Sequence, residues 1–126
     1  MEKEYLNLNN LEVYLLSRQL SDIGWKIYTD FDWKLQKIIG DQFIESTDSV
    51  GANIAEGYGR FHYLDKIKFY YNARASLKES RHWFELMKKR KLIDNQIQKD
   101  YLKIYAQLSP KLNSFIGATY KKVKKS

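Results

Sequence analysis

The 126-residue sequence has no cysteine, one proline, six glycines and two histidines. Without cysteine there is no disulfide, no thiol nucleophile and no thiolate-bound zinc. So little proline and glycine excludes collagen-like or low-complexity material. No run approaches the roughly eighteen apolar residues that a membrane helix needs. The opening residues, MEKEYLNLNN, lack the apolar stretch of a secretory signal. The expected location is therefore the cytoplasm, and a membrane is not an expected partner. Strand signals are scarce as well: period-two alternation is not sustained, and no Asn-Gly or Asp-Gly hairpin turn occurs.

Apolar residues make up 44% of the chain and charged residues 29%, so the chain is not wholly disordered. A chain of this length supports one domain, here 1–126, which buries about two-thirds of its unfolded surface. The formal net charge is +7, but it is unevenly placed. Residues 1–57 carry a net −5, residues 58–91 a net +7 and residues 92–126 a net +5. An acidic first half and a basic second half allow two readings. One is a basic surface for phosphate backbones. The other is self-association, acidic face to basic face.

Helical periodicity runs through almost the whole chain. Val13, Leu16, Leu20, Ile23, Ile27 and Phe31 recur at steps of three or four. They predict a helix over about 10–31, with Asn9-Asn10 offering a cap. Leu35, Ile39, Phe43, Val50, Ile54 and Gly57 predict a second over 33–57, capped by Asp32. Gly57 and Gly59 suit a left-handed turn at its end. Phe69, Ala73, Ser76, Leu77, Ser80, Phe84 and Met87 predict a third over 64–91. Tyr101, Ile104, Leu108, Leu112, Phe115 and Thr119 predict a fourth over 94–124, with Asp94 as cap. Pro110 lies inside the fourth, and the stripe keeps its phase across it, so a kink is expected rather than a break. Short connections make sequence neighbours antiparallel. The expected fold is all-α, an up-down-up-down antiparallel four-helix bundle.

Leu102, Tyr105, Ile116 and Tyr120 form a second apolar set on the fourth helix, and Leu8, Leu11 and Leu15 lie off the main stripe of the first. Apolar residues round much of a helix imply burial on two sides. With 19 aromatic residues in the chain, this pattern predicts a homo-oligomer interface.

The second helix carries a polar stripe of Gln42, Ser46, Ser49, Asn53 and Glu56 along one edge of its apolar face. A carboxylate at a core edge needs donors. Arg60 is four residues on, and Arg74, Ser76 and Ser80 are further candidates. An acid–base site would need a second carboxylate or a paired histidine on this stripe, and none is there. The preferred reading is a structural polar network of Ser49, Asn53, Glu56, Arg60, Ser76 and Glu79. Replacing Glu56 by alanine is expected to cost about 2–4 kcal/mol through the partners it leaves unpaired.

The run Ser49-Val50-Gly51-Ala52-Asn53-Ile54-Ala55-Glu56-Gly57-Tyr58-Gly59-Arg60 resembles the S-x-x-x-N-I-A-E-G-x-G-R signature of a bacterial four-helix-bundle family. Its members include proteins encoded in intervening sequences of large-subunit (23S) ribosomal RNA genes. Ala73-Arg74-Ala75-Ser76-Leu77-Lys78-Glu79 is similar to the family's A-R-G-S-L-x-E element, with Ala75 in place of the glycine. The resemblance spans about Leu11 to Phe115. It also extends to the accessory protein of diversity-generating retroelements, a basic pentameric barrel that engages nucleic acid and a reverse transcriptase. A homopentamer is what this likeness implies.

On the third helix, Arg74, Lys78, Arg81 and Lys89 lie opposite the apolar stripe, interleaved with Tyr71 and His82. Cations with an occasional aromatic suit phosphate contacts and base stacking. Lys88, Lys89 and Arg90 at the end of that helix, and Lys121 and Lys122 in the lysine-rich tail, extend the set, although cations at helix C-termini also suit the dipole. Enzyme readings find no residue set. Glu79-x-x-His82 is half of a di-iron motif, and its second half is missing. Neither a Walker lysine loop nor a Gly-x-Ser-x-Gly elbow occurs. The expectation is a non-enzymatic bundle with no catalytic residue, metal or cofactor. It binds RNA or DNA through its basic second half. The alternative is an assembly module that recruits a protein partner such as a polymerase.

Overall fold

A computed structural model describes residue 8 and residues 10–125. Helix α1 spans Glu12–Asp30. Its capping position is Leu11, in extended conformation and with no side-chain cap. Asn10 precedes that position, and Asn9 lies outside the described residues. Leu11 packs on the core instead, so apolar contact fixes the start of α1 rather than a polar cap.

Helix α2 is a composite of Trp33–Leu35, a π-helical turn Gln36–Gly40 and Asp41–Tyr58 in unbroken succession. Asp32 caps it by accepting from the Leu35 backbone N–H at 2.9 Å. The π turn adds one residue to the helical count. It leaves Ile39 and Gly40 buried and turns Ile38 outward, 67% exposed. Helix α3 spans Tyr63–Lys89 and α4 spans Asn95–Lys125. Asp94 caps α4, accepting from the Ile97 N–H at 2.8 Å. Pro110 sits within α4, and the helix is continuous through it.

The left-handed residue in the connections is Lys91, at φ 60°, and not a glycine. The Leu92 N–H bonds to the Met87 carbonyl at 2.9 Å and the Lys91 N–H to that of Lys88 at 3.1 Å, the two bonds of a Schellman closure. Gly59, by contrast, ends α2 in right-handed conformation. Gly57 serves close approach: a Cβ there would stand 2.7 Å from the Tyr70 ring and 2.9 Å from Phe69 Cβ.

Each helix packs on two neighbours, α1 on α2 and α4, and α3 on α2 and α4, with the most extensive seam between α2 and α3. Successive helices are antiparallel. Tyr28 bonds Asp41, while a Cβ on Gly51 would meet Ser17. Ser80 bonds Thr47, while Gly57 meets Tyr70. Phe84 stacks on Tyr101 at 4.0 Å and Tyr70 lies against Phe115 at 4.7 Å. The protein is an all-α four-helix bundle, with no strand among the described residues.

The core comprises Leu20, Ile27, Phe43, Val50, Ile54, Leu77, Phe84, Leu108 and Leu112 with their neighbours. Much of the second apolar set is used within the monomer. Ile116 is buried, and Leu102, Tyr105 and Leu11 pack against the core, because the α1–α4 and α3–α4 seams both draw on α4. Leu15 and Tyr120 of that set remain exposed, and the most exposed apolar side chains lie elsewhere: Trp25, Trp33 and Ile38 near the α1–α2 connection, and Phe61 and Leu64 near the α2–α3 connection.

Candidate nucleic-acid interface

Arg74, Lys78 and Arg81 follow one another at steps of four and three along α3 and so share a face. Lys78 is exposed, and Arg74 is half-buried with its guanidinium 5.2 Å from the Tyr71 ring centroid. Arg81 is more occupied. Its guanidinium lies 4.8 Å from the Tyr105 centroid, and its Nε is 3.6 Å from Glu85. It helps seal the α3–α4 seam, which leaves Lys78 and Lys89 exposed and Arg74 beside Tyr71 on this face.

Lys88, Lys89 and Arg90 are exposed at the end of α3. Lys121 and Lys122 are exposed near the end of α4, where Lys122 stands 5.4 Å from the Tyr63 ring at the start of α3. The 27 residues of α3 separate these two groups by about 40 Å. The antiparallel packing that aligns the helices sends their basic C-termini to opposite ends. Within one copy, these candidate cations therefore form a line along α3 and two terminal clusters at opposite ends of the bundle.

Charge is nevertheless sorted. The helices with surplus carboxylates, α1 and α2, adjoin each other, and so do the lysine- and arginine-rich α3 and α4. Arg60–Glu56 and the close Lys111–Glu12 contact join a cation of the second half to a carboxylate of the first.

The network expected at Ser49, Asn53, Glu56, Arg60, Ser76 and Glu79 does not bridge helices. Ser49 donates to the Glu45 carbonyl at 2.7 Å and Asn53 to the Ser49 carbonyl at 2.8 Å. Glu56 and Arg60 pair at 2.7 Å with side chains 55% and 45% exposed. Glu79 accepts from the Trp83 indole at 3.1 Å, and Ser76 is half-buried. The α2–α3 seam runs through Phe43, Thr47, Val50, Ile54 and Gly57, which turns Ser49, Asn53 and Glu56 to the flank. There a hydroxyl or amide finds a carbonyl four residues back on its own helix. Glu56 is solvated, and the cost expected for its loss falls accordingly.

The buried network lies one turn away. Thr47 Oγ1 donates to the Phe43 carbonyl at 2.7 Å, Thr47 and Ser80 hydroxyls are 2.7 Å apart, and Ser80 and Tyr101 hydroxyls 2.8 Å. It joins α2, α3 and α4. The signal in the sequence was Thr47, a hydroxyl at a core position of the stripe.

Glu79 and His82 are exposed, and no cluster of three metal-ligating side chains forms among the described residues. No described helix is long and apolar enough to cross a membrane.

No curated protein matches the chain. A crystal structure of a protein of unknown function from the S23 ribosomal protein family of Bacteroides thetaiotaomicron is similar in fold, with a TM-score of 0.73 at 21% identity, covering 82% of this chain and 97% of that one. The profile of the 23S rRNA-intervening sequence proteins matches residues 9–114. With that match over a bundle whose α2–α3 hairpin carries the signature residues, the chain belongs to the 23S rRNA-intervening sequence protein family.

Proposed function

We propose that the chain is a non-enzymatic, cytoplasmic bundle that self-associates and binds RNA or DNA through the cations of α3 and α4. The observation behind this reading is the sorting of charge between adjoining helix pairs. A positive surplus uncompensated by its own fold is what a phosphate backbone neutralises. The acidic α1–α2 side of one copy complements the basic α3–α4 side of the next, a head-to-tail contact that closes as a ring. Five copies are the number the motif resemblance implies. A ring gathers the α3 termini of all copies at one rim, and the separation of clusters within one copy is then no obstacle.

Affinity for a structured RNA across a salt series tests the reading. The expected result is a steep fall of affinity with salt, and a double change of Arg74 and Lys78 to glutamate flattens the log–log slope by about two. A flat salt dependence, or no binding at low salt, overturns it. The mass of the assembly in solution tests the pentamer.

A second reading, recruitment of a protein such as a polymerase, is favoured by Trp25, Trp33 and Ile38, which are exposed in one region of α1 and α2. Stoichiometric recovery of such a protein from nuclease-treated lysate, lost on changing Trp33 to serine, would support it.

A further inference from the structure

The connection between α2 and α3, residues 59–62, lies at the end of the bundle where α4 terminates, as the Lys122–Tyr63 contact shows. Phe61 at its tip is 89% exposed and Leu64 57%. Burial of neither stabilises this fold. Three ring side chains follow in succession: Phe61 and His62 meet edge to face at 5.0 Å, and Tyr63 carries Lys122 beside its ring. Lys124 stands similarly, 5.0 Å from the Tyr120 ring.

Further cations lie on the helix ends that meet here. Lys121 and Lys125 complete the end of α4, and Lys68 is exposed on the first turns of α3. Among the described residues, the carboxylates towards this end are Asp65, half-buried, Glu56, which Arg60 already holds, and Glu12, which Lys111 holds. This end therefore combines exposed ring faces with a surplus of positive charge. A duplex uses the cations and leaves Phe61 in water, because its base faces are closed by stacking. A strand with open bases uses both.

We propose that this end of the bundle binds single-stranded nucleic acid, with Phe61 and its neighbouring rings stacking on bases and the lysines at the end of α4 contacting phosphates. The inference rests on the nucleic-acid reading above and narrows it to a strand class and a location.

The test uses the full chain and fluorescence anisotropy, with a labelled oligouridylate of about twelve nucleotides and an RNA hairpin duplex of equal phosphate number. Phe61→Ala is expected to weaken binding of the oligouridylate about fivefold or more and to leave duplex affinity and both salt slopes unchanged. Lys122→Ala is expected to flatten the salt slope for the oligouridylate by about 0.7. Phe61 is solvated, so its replacement leaves the melting transition in place, and a melting curve checks this. Equal loss on both probes, or no loss on either, overturns the stacking role while wild-type binding keeps the broader reading. Failure of the wild type to bind either probe overturns both. Binding to vesicles of phosphatidylcholine and phosphatidylserine that Phe61→Ala abolishes, with oligouridylate binding unchanged, assigns the tip to lipid and overturns the proposal. A change in assembly mass on Phe61→Ala assigns it to a contact between copies, with the same consequence.

Discussion

Thr47, Ser80 and Tyr101 contribute one hydroxyl hydrogen each, and that count sets the direction of their chain. The Thr47 hydrogen goes to the Phe43 carbonyl, which has none to give. Ser80 must then donate to Thr47, and Tyr101 to Ser80. The two ends are therefore unequal. Changing Ser80 to alanine strands the Tyr101 hydroxyl in the core and is expected to cost about 1–3 kcal/mol. Changing Tyr101 to phenylalanine leaves the Ser80–Thr47 bond intact and is expected to cost about 1 kcal/mol. Urea unfolding of both variants measures the order, and a larger loss for the phenylalanine variant would reverse the assigned direction. Glu56→Ala removes an exposed i,i+4 pair, with an expected loss of about 0.5 kcal/mol in the same assay. Helical phase alone puts Glu56 at the edge of the apolar stripe, to within one position. The side of that position facing α3 depends on the rotation of α2, which periodicity does not specify.

At the scale of helices, α2 and α3 are held close by the absence of one side chain. A Cβ on Gly57 collides with Phe69 Cβ, which is fixed to the α3 backbone and has no rotamer to escape into. Gly57→Ala is expected to lower stability by about 1–3 kcal/mol through overpacking, despite the better helix propensity of alanine. Gly117 in α4 is the control. Nothing lies within 4 Å of a Cβ there, so Gly117→Ala is expected to raise stability by about 0.5–1 kcal/mol. Thermal melts of the two variants should move in opposite directions. The four helices were legible because each carries its own apolar stripe, and a stripe is local information. The π turn at Gln36–Gly40 was not, because no residue type marks it; tertiary contacts of Gly40 with Tyr28 and Phe31 accompany the extra residue.

For the molecule as a whole, Tyr101 and Tyr70 give the bundle an alkaline limit. Burial, the largest cause at each, raises both phenols well above the ordinary value of 10.0. Below that pH both states keep the proton and the tyrosines leave stability unchanged. Above it the unfolded chain releases protons that the native chain retains, so stability falls as pH rises. The free energy of unfolding is expected to decline from about pH 10 upward, and the tyrosinate absorbance that Tyr70 and Tyr101 contribute should appear with unfolding rather than before it. Tyr101→Phe should flatten that decline, and an unchanged slope would place its phenol in contact with water. The same scale governs the interface. Within one copy the cations at the C-terminal ends of α3 and α4 are far apart, and the proposed assembly would bring equivalent clusters together.

The sequence by itself determined what repeats along one helix: four apolar stripes, the caps at Asp32 and Asp94, the partition of charge between halves, and the signature that marks the family. The stripes, caps and signature are set within a few residues, where helical spacing relates them, and the charge partition is a count along the chain. The tertiary structure alone decided what meets across helices. Thr47, Ser80 and Tyr101 join three helices, Arg81 turns onto Tyr105, Glu56 faces water, and the basic termini part to opposite ends. Those outcomes depend on the rotation of each helix about its axis and on antiparallel packing, which side-chain fit fixes only when all four helices are in place.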